Sequence, residues 1–224
     1  MKILVIGERI HLEEYRQKFG HHSLTHLEKR DDVEKNLDSH DVIFDFTADP
    51  AAEFISSCAG TPITVFVNTC YTSLAALLQT IDKPLHCRVF GFNGMPTLFN
   101  REFLEVSVAK AEDVMMLKSI CRQLNTEYLL VDDRVGLVTP RVICMIINEA
   151  YYTVQEGTAS REDIDLAMKL GTNYPYGPFE WCEKIGLGNV YELLQALYED
   201  TKDERYKIPA LMKKEYLASE HRGR

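Results

Sequence analysis

Short, nearly unbroken apolar runs recur through the first 133 residues, and stretches with helical spacing lie between them. KILVIG at the start, DVIFDF (41–46), ITVFVN (63–68) and HCRVFGF (86–92) are too short for helices and suit strands buried on both faces. A more polar strand is expected around Ser23 to Leu27, and LEVSVA offers one more. Between them, Ile10, Leu12, Tyr15 and Phe19 recur at helical spacings ahead of Gly20. Further helices are expected after Asp49 and Pro50 and from Ser73 to Ile81. Strands alternating with helices of about ten residues call for right-handed crossovers, hence an α/β, doubly wound parallel sheet. From Arg141 the spacing changes. VICMIINEAYYTVQEG repeats at three and four, Ser160 caps a second helix that Gly171 closes, and VYELLQALYE and Pro209 to Leu217 supply more. The expected organisation is a sheet domain over 1–133 and an all-helical domain over 134–224. The seam lies in VDDRVGLVTP, where charge, glycine and proline coincide.

Composition narrows the partners. The 224 residues are 46% hydrophobic and 26% charged, the balance of a soluble globular chain. No run approaches the ~18 apolar residues of a membrane span, and MKILVIGERI lacks the pattern of a signal peptide. With 25 basic against 34 acidic residues the net charge is −9, which repels a phosphate backbone, so nucleic acid is not an expected partner. Six cysteines without ligand spacing read as free thiols in a reducing compartment, the cytoplasm. GHHSLTHLE has no metalloprotease glutamate and reads as a strand, so no metal site is expected.

NEAYYTVQEGTASREDIDLAMKLGTNYPYGPFEWCEKIGL, with Tyr174, Pro175, Gly177, Pro178, Phe179 and Glu180 in one block, resembles the 3-hydroxyacyl-CoA dehydrogenase family almost continuously. The resemblance implies a Rossmann-type NAD domain followed by a helical domain that forms a homodimer contact and closes over cofactor and acyl chain. It also implies an oxidoreductase of fatty acid metabolism that oxidises a 3-hydroxyacyl-CoA, a small-molecule substrate, to the 3-ketoacyl-CoA. A turn and packing motif is the other reading of the block.

The chemistry is where the chain departs from that pattern. In a GxGxxG turn the glycines make the bend, admit the pyrophosphate and seat the helix on the strand. Here those positions are Gly7, Arg9 and Leu12. Arg9 crowds the phosphate approach, although its guanidinium can pair with a phosphate in another geometry. Glu28 is the candidate for the ribose hydroxyls, or else part of a solvated charge run with Lys29 and Arg30. Asp45 is a second cofactor-side acid by resemblance. The family's catalytic histidine and orienting glutamate, twelve residues apart, fall on Asn93 and Glu105; the family serine falls on Thr72 and the seam asparagine on Pro140. An amide has no lone pair basic enough to take a proton at neutral pH. Glu105, partly desolvated, is the one substitute base, or else a leftover paired acid. The family's helical hairpin between the second and third strands is reduced to a short polar connection, and the chain ends at HRGR without the family's aromatic tail. Two readings stay open. One is an oxidoreductase acting weakly through Glu105, Thr72 and Asn93, with NAD a doubtful cofactor. The other is a non-catalytic dimeric binding or assembly protein.

Overall fold

The computed structural model describes residues 1–48 and 51–222, in two compact units, Met1–Val138 and Thr139–Arg224. In the first unit the order is β1 (Lys2–Ile6), α1 (Arg9–Phe19), β2 (Ser23–Leu27), β3 (Val42–Asp45), α2 (Ala52–Cys58), β4 (Thr64–Asn68) and α3 (Leu74–Gln79). Then come β5 (Arg88–Phe92), β6 (Phe103–Ser107), α4 (Val114–Leu124) and β7 (Glu127–Leu130). Asp49 and Pro50, where a helix start was expected, lie outside the described residues.

Among the described residues the sheet runs β2-β1-β3-β4-β5-β6-β7. The first five strands are parallel; β6 pairs antiparallel with β5, and β7 pairs parallel with β6. The expected doubly wound parallel sheet is present, with one antiparallel pair at its far edge, because the short 93–102 connection turns the chain straight back as a hairpin instead of crossing over. Period-two alternation sorts the core. Ile3 and Val5 pack with Tyr15, Phe19, Phe44, Phe66, Phe90 and Phe92 on the face covered by α1 and α4, while Leu4, Ile6, Ile43, Val65 and Val67 pack under α2 and α3. Burying each of these aromatic rings contributes about 2–3 kcal/mol before entropy is counted. The phenylalanines are registered against one another, with Phe44 and Phe66 stacked at 4.6 Å across adjacent strands.

The two units part at 138/139, later than the expected 133/134, because the seam is hydrogen-bonded into the sheet unit. Asp133 accepts the Leu74 and Ala75 amides at 2.7 Å each, Gly136 N–H donates to the Cys70 carbonyl at 2.8 Å, and Val138 N–H donates to Glu105. Pro140 stands at the start of the next helix, where its fixed φ is helical and its missing N–H costs nothing.

The second unit is α5 (Thr139–Gln155), α6 (Arg161–Thr172), α7 (Pro178–Ile185), α8 (Leu187–Thr201) and α9 (Ala210–Arg222), with α5 packed against α7, α8 and α9. Ser160 caps α6 as expected, accepting the Asp163 amide at 3.1 Å. Gly171 does not close α6. The left-handed position belongs to Asn173 (φ 57°), a residue that tolerates αL, and Gly171 lies inside the helix. Among the described residues, no helix is long and apolar enough to cross a membrane, and no group of His, Cys, Asp or Glu is placed to hold a metal ion. All six cysteines are free and buried.

Candidate active site

In an open α/β sheet ligands bind beyond the carboxyl ends of the strands, where neighbouring connections leave in opposite directions. Here that point lies between β1 and β3, and the order of strands brings Gly7 and Asp45 to it. Gly7 follows β1 at φ +148°, donates to the Leu27 carbonyl at 3.0 Å, and accepts from His26 Nε2 at 2.8 Å. A Cβ added at Gly7 would sit 3.0 Å from His11 Nδ1 and 3.0 Å from Phe46 Cβ. The His11 and Phe46 rings stack at 5.0 Å. Burial pushes the His11 imidazole down to about 4, so it is neutral at pH 7.

Asp45 is fully buried and accepts from Arg30 Nε (2.9 Å) and Nη2 (2.7 Å), the Thr47 hydroxyl (2.8 Å) and the Thr47 amide (3.2 Å). Burial pushes its carboxyl up, while Arg30 and the two Thr47 donors pull the other way. Arg30 comes within reach because β2 and β3 are joined only by two short 3-10 turns, Arg30–Asp32 and Glu34–Ser39. Arg9 is exposed at the start of α1 and pairs with Glu13 at 3.1 Å. Glu28 is exposed directly behind β2.

The second group of candidate residues lies beyond the carboxyl ends of β4 and β5, with Glu105 in the middle of the antiparallel β6. Asn93 N–H donates to the Glu105 carbonyl at 3.1 Å across the β5–β6 hairpin, so these two do lie together. The Asn93 side chain is 2% exposed and already used: Oδ1 accepts Met95 N–H at 3.1 Å and Cys70 Sγ at 3.5 Å, and Nδ2 donates to the Leu98 carbonyl at 3.4 Å. Glu105 is buried, with Oε1 accepting the Val138 amide. Thr72 is half-buried in the turn ahead of α3, whose first amides are held by Asp133.

Sequence reasoning missed the residues that arrange this end of the sheet. Asn68 Oδ1 accepts the Cys70 and Gly94 amides at 3.2 and 3.3 Å and its Nδ2 donates to the Phe46 carbonyl at 3.2 Å, joining the ends of β3, β4 and β5. Cys70, with its thiol pushed up to about 12 by complete burial, is a packed neighbour of Asn93 and not a nucleophile. An asparagine closing a strand ahead of a turn was the only available signal, and it is a weak one.

In the second unit the block that carries the resemblance is a capping assembly. Asp165 on α6 accepts the Phe179 and Glu180 amides at 2.8 and 3.2 Å, so it caps α7 from another helix. Glu180 reaches back to the Gly177 amide at 2.9 Å and pairs with Lys169. Pro178 opens α7, and a Cβ at Gly177 would fall 2.3 Å from the Asp165 carboxylate. Arg161 lies over the Tyr151 and Phe179 rings at 5.1 and 4.8 Å and pairs with Glu215.

The sheet order, the glycine turn after β1 and the helical second unit define a Rossmann-type fold with an appended helical domain. The family model of the 3-hydroxyacyl-CoA dehydrogenase C-terminal domain matches residues 136–224. The 3-hydroxyadipyl-CoA dehydrogenase of Escherichia coli (strain K12) is 40% identical over 96 residues, 43% of this chain and 20% of that protein. The 3-hydroxybutyryl-CoA dehydrogenase of Bradyrhizobium diazoefficiens is 31% identical over 150 residues, 65% of this chain and 50% of that protein. The chain therefore spans half or less of the length of these relatives. The solved (S)-3-hydroxybutyryl-CoA dehydrogenase of Ralstonia eutropha shares the fold over 97% of this chain and 94% of its own, at a TM-score of 0.74 and 18% identity. Residues 136–224 therefore match the C-terminal domain of the 3-hydroxyacyl-CoA dehydrogenase family, and the chain as a whole shares the fold of a solved (S)-3-hydroxybutyryl-CoA dehydrogenase.

Proposed function

We propose that this chain is a 3-hydroxyacyl-CoA dehydrogenase-type oxidoreductase in which the family reaction, NAD-dependent oxidation of a 3-hydroxyacyl-CoA to the 3-ketoacyl-CoA, is severely weakened. One observation carries the reading. The side chain that the resemblance assigns to the proton-acceptor position is the Asn93 amide, and its oxygen and nitrogen are both bonded, to Met95 and Leu98 of the turn that follows β5 and to Cys70. It neither takes a proton nor faces a substrate hydroxyl. Loss of a positioned base is worth on the order of 10²- to 10⁴-fold, or ~3–5 kcal/mol of barrier. Such turnover as persists runs through Glu105 as proton acceptor, with the Thr72 hydroxyl holding the substrate oxygen.

The test is acetoacetyl-CoA reduction with NADH, measured beside a relative of the same family. The expected rate is at least ~10²-fold lower, and a rate within tenfold of the relative overturns the reading. Where a residual rate is measurable, Glu105→Gln abolishes it; unchanged turnover removes Glu105 from the chemistry.

The same reading includes a homodimer formed through the C-terminal helices and a cytoplasmic location. Leu166 and Leu170, one turn apart on α6, are 54% and 79% exposed, the kind of apolar patch a second copy covers. The six free thiols suit a reducing compartment. Light scattering should give a dimer that Leu170→Glu converts to monomer; a monomeric parent chain refutes that part.

A further inference from the structure

We infer that the crevice between the carboxyl ends of β1 and β3 is filled by the chain's own side chains and admits no dinucleotide. Three features of the site carry this. The space that the absent Cβ of Gly7 leaves is taken by His11 and Phe46, each 3.0 Å from where that Cβ would be. Phe46 is not a loose lid: its Cβ lies against Gly7 while its ring, 2% exposed, meets Phe92 and Phe99 edge-on at 5.0 and 4.8 Å, so the core holds that Cβ in place.

Next, the helix end that would receive a pyrophosphate is dressed against one. The backbone amides opening α1 offer partial positive charge, but the residue in front of them is the exposed acid Glu8, and Arg9 is already paired with Glu13. Finally, the carboxylate nearest the crevice is spent. Asp45 accepts four hydrogen bonds from Arg30 and Thr47, and Arg30 is braced over the Phe54 ring at 5.4 Å. Glu28 alone stands exposed where a ribose would be held, and one hydroxyl-binding acid cannot compensate for a pyrophosphate with no seat. The residues present do not fit the cofactor of the family.

This inference goes beyond the Asn93 reading: a crevice closed to NADH would by itself lower turnover, so the titration reads binding directly, without turnover. NADH and NADPH are titrated into the full chain, followed by nucleotide fluorescence and by amide NMR shifts of residues 7–12. The expected result is no saturation up to ~1 mM, or weak binding whose shifts avoid residues 7–12. Saturation below ~100 μM with shifts at Gly7 and Arg9 overturns the inference. It leaves the Asn93 reading standing if turnover is still absent; turnover at the relative's rate sinks both. His11→Ala and the double change His11→Ala, Phe46→Gly, which also removes the Phe46 Cβ, supply the converse. A folded variant should gain at least tenfold in NADH affinity, and a folded double variant with no gain shows that these two side chains are not what closes the crevice. If the double variant does not fold, His11→Ala and the parent titration decide.

Discussion

The two units use their distinctive residues in different ways. In the helical unit the residues that resemble the family hold the backbone: Asp165, Gly177, Pro178 and Glu180 close one cap, and each fits only because the others are present. In the sheet unit the candidate site residues make contacts that turn inward. Asn93 staples its own turn, Asp45 is paired with Arg30, and Gly7 leaves room for the His11 ring and the Phe46 Cβ. A fold survives on packing and capping, which many residues share, whereas a reaction rests on single side chains that contribute little to stability. Residues 136–224, where capping and packing hold the backbone, are also the ones that match the family model.

The sharpest way to break that contrast is Gly177→Ala. The new methyl group would collide with the Asp165 carboxylate, displacing it from the Phe179 and Glu180 amides. The expected loss is about 2–4 kcal/mol, read as a lower urea midpoint of the helical unit; an unchanged midpoint would show that the block is not a structural cap.

Acid titration probes the sheet unit. His11 is held neutral down to about 4 when folded, against 6.5 in the unfolded chain, so the unfolded state takes up its proton first as pH falls. Stability therefore declines from about pH 6.5 towards pH 4, by at most about 3 kcal/mol. His11→Leu should flatten that slope, and an equal slope in both proteins would refute the burial of His11. A smaller effect is expected from Asn93→Ala, about 1–3 kcal/mol, because the Met95 amide and Leu98 carbonyl lose a buried partner. No loss of stability would mean that the Asn93 amide is free for chemistry.

Much of the fold was legible because its determinants are local. β1, β3, β4 and β5 are short apolar runs, and Ser160 with Asp163 announces the start of α6. The missed elements, α4 and β7, have mixed sequences that only their packing decides: Leu117, Ile120, Cys121 and Leu124 are buried while Leu129 and Leu130 stay exposed on the edge strand. The candidate site was half legible. Asn93 and Glu105 do meet, because a hairpin brings them together, and Gly7 and Asp45 do share a strand end.

By itself the sequence determined that a strand–helix alternation gives way to helices and that position 93 is an amide and not an imidazole, since residue identity and spacing are properties of the chain. Only the tertiary structure decided that His11 and Phe46, 35 positions apart, close over Gly7, and that Arg30 claims Asp45. Those partners meet because the sheet order puts β1 beside β3 and a short connection leaves Arg30 within reach, and neither follows from local spacing.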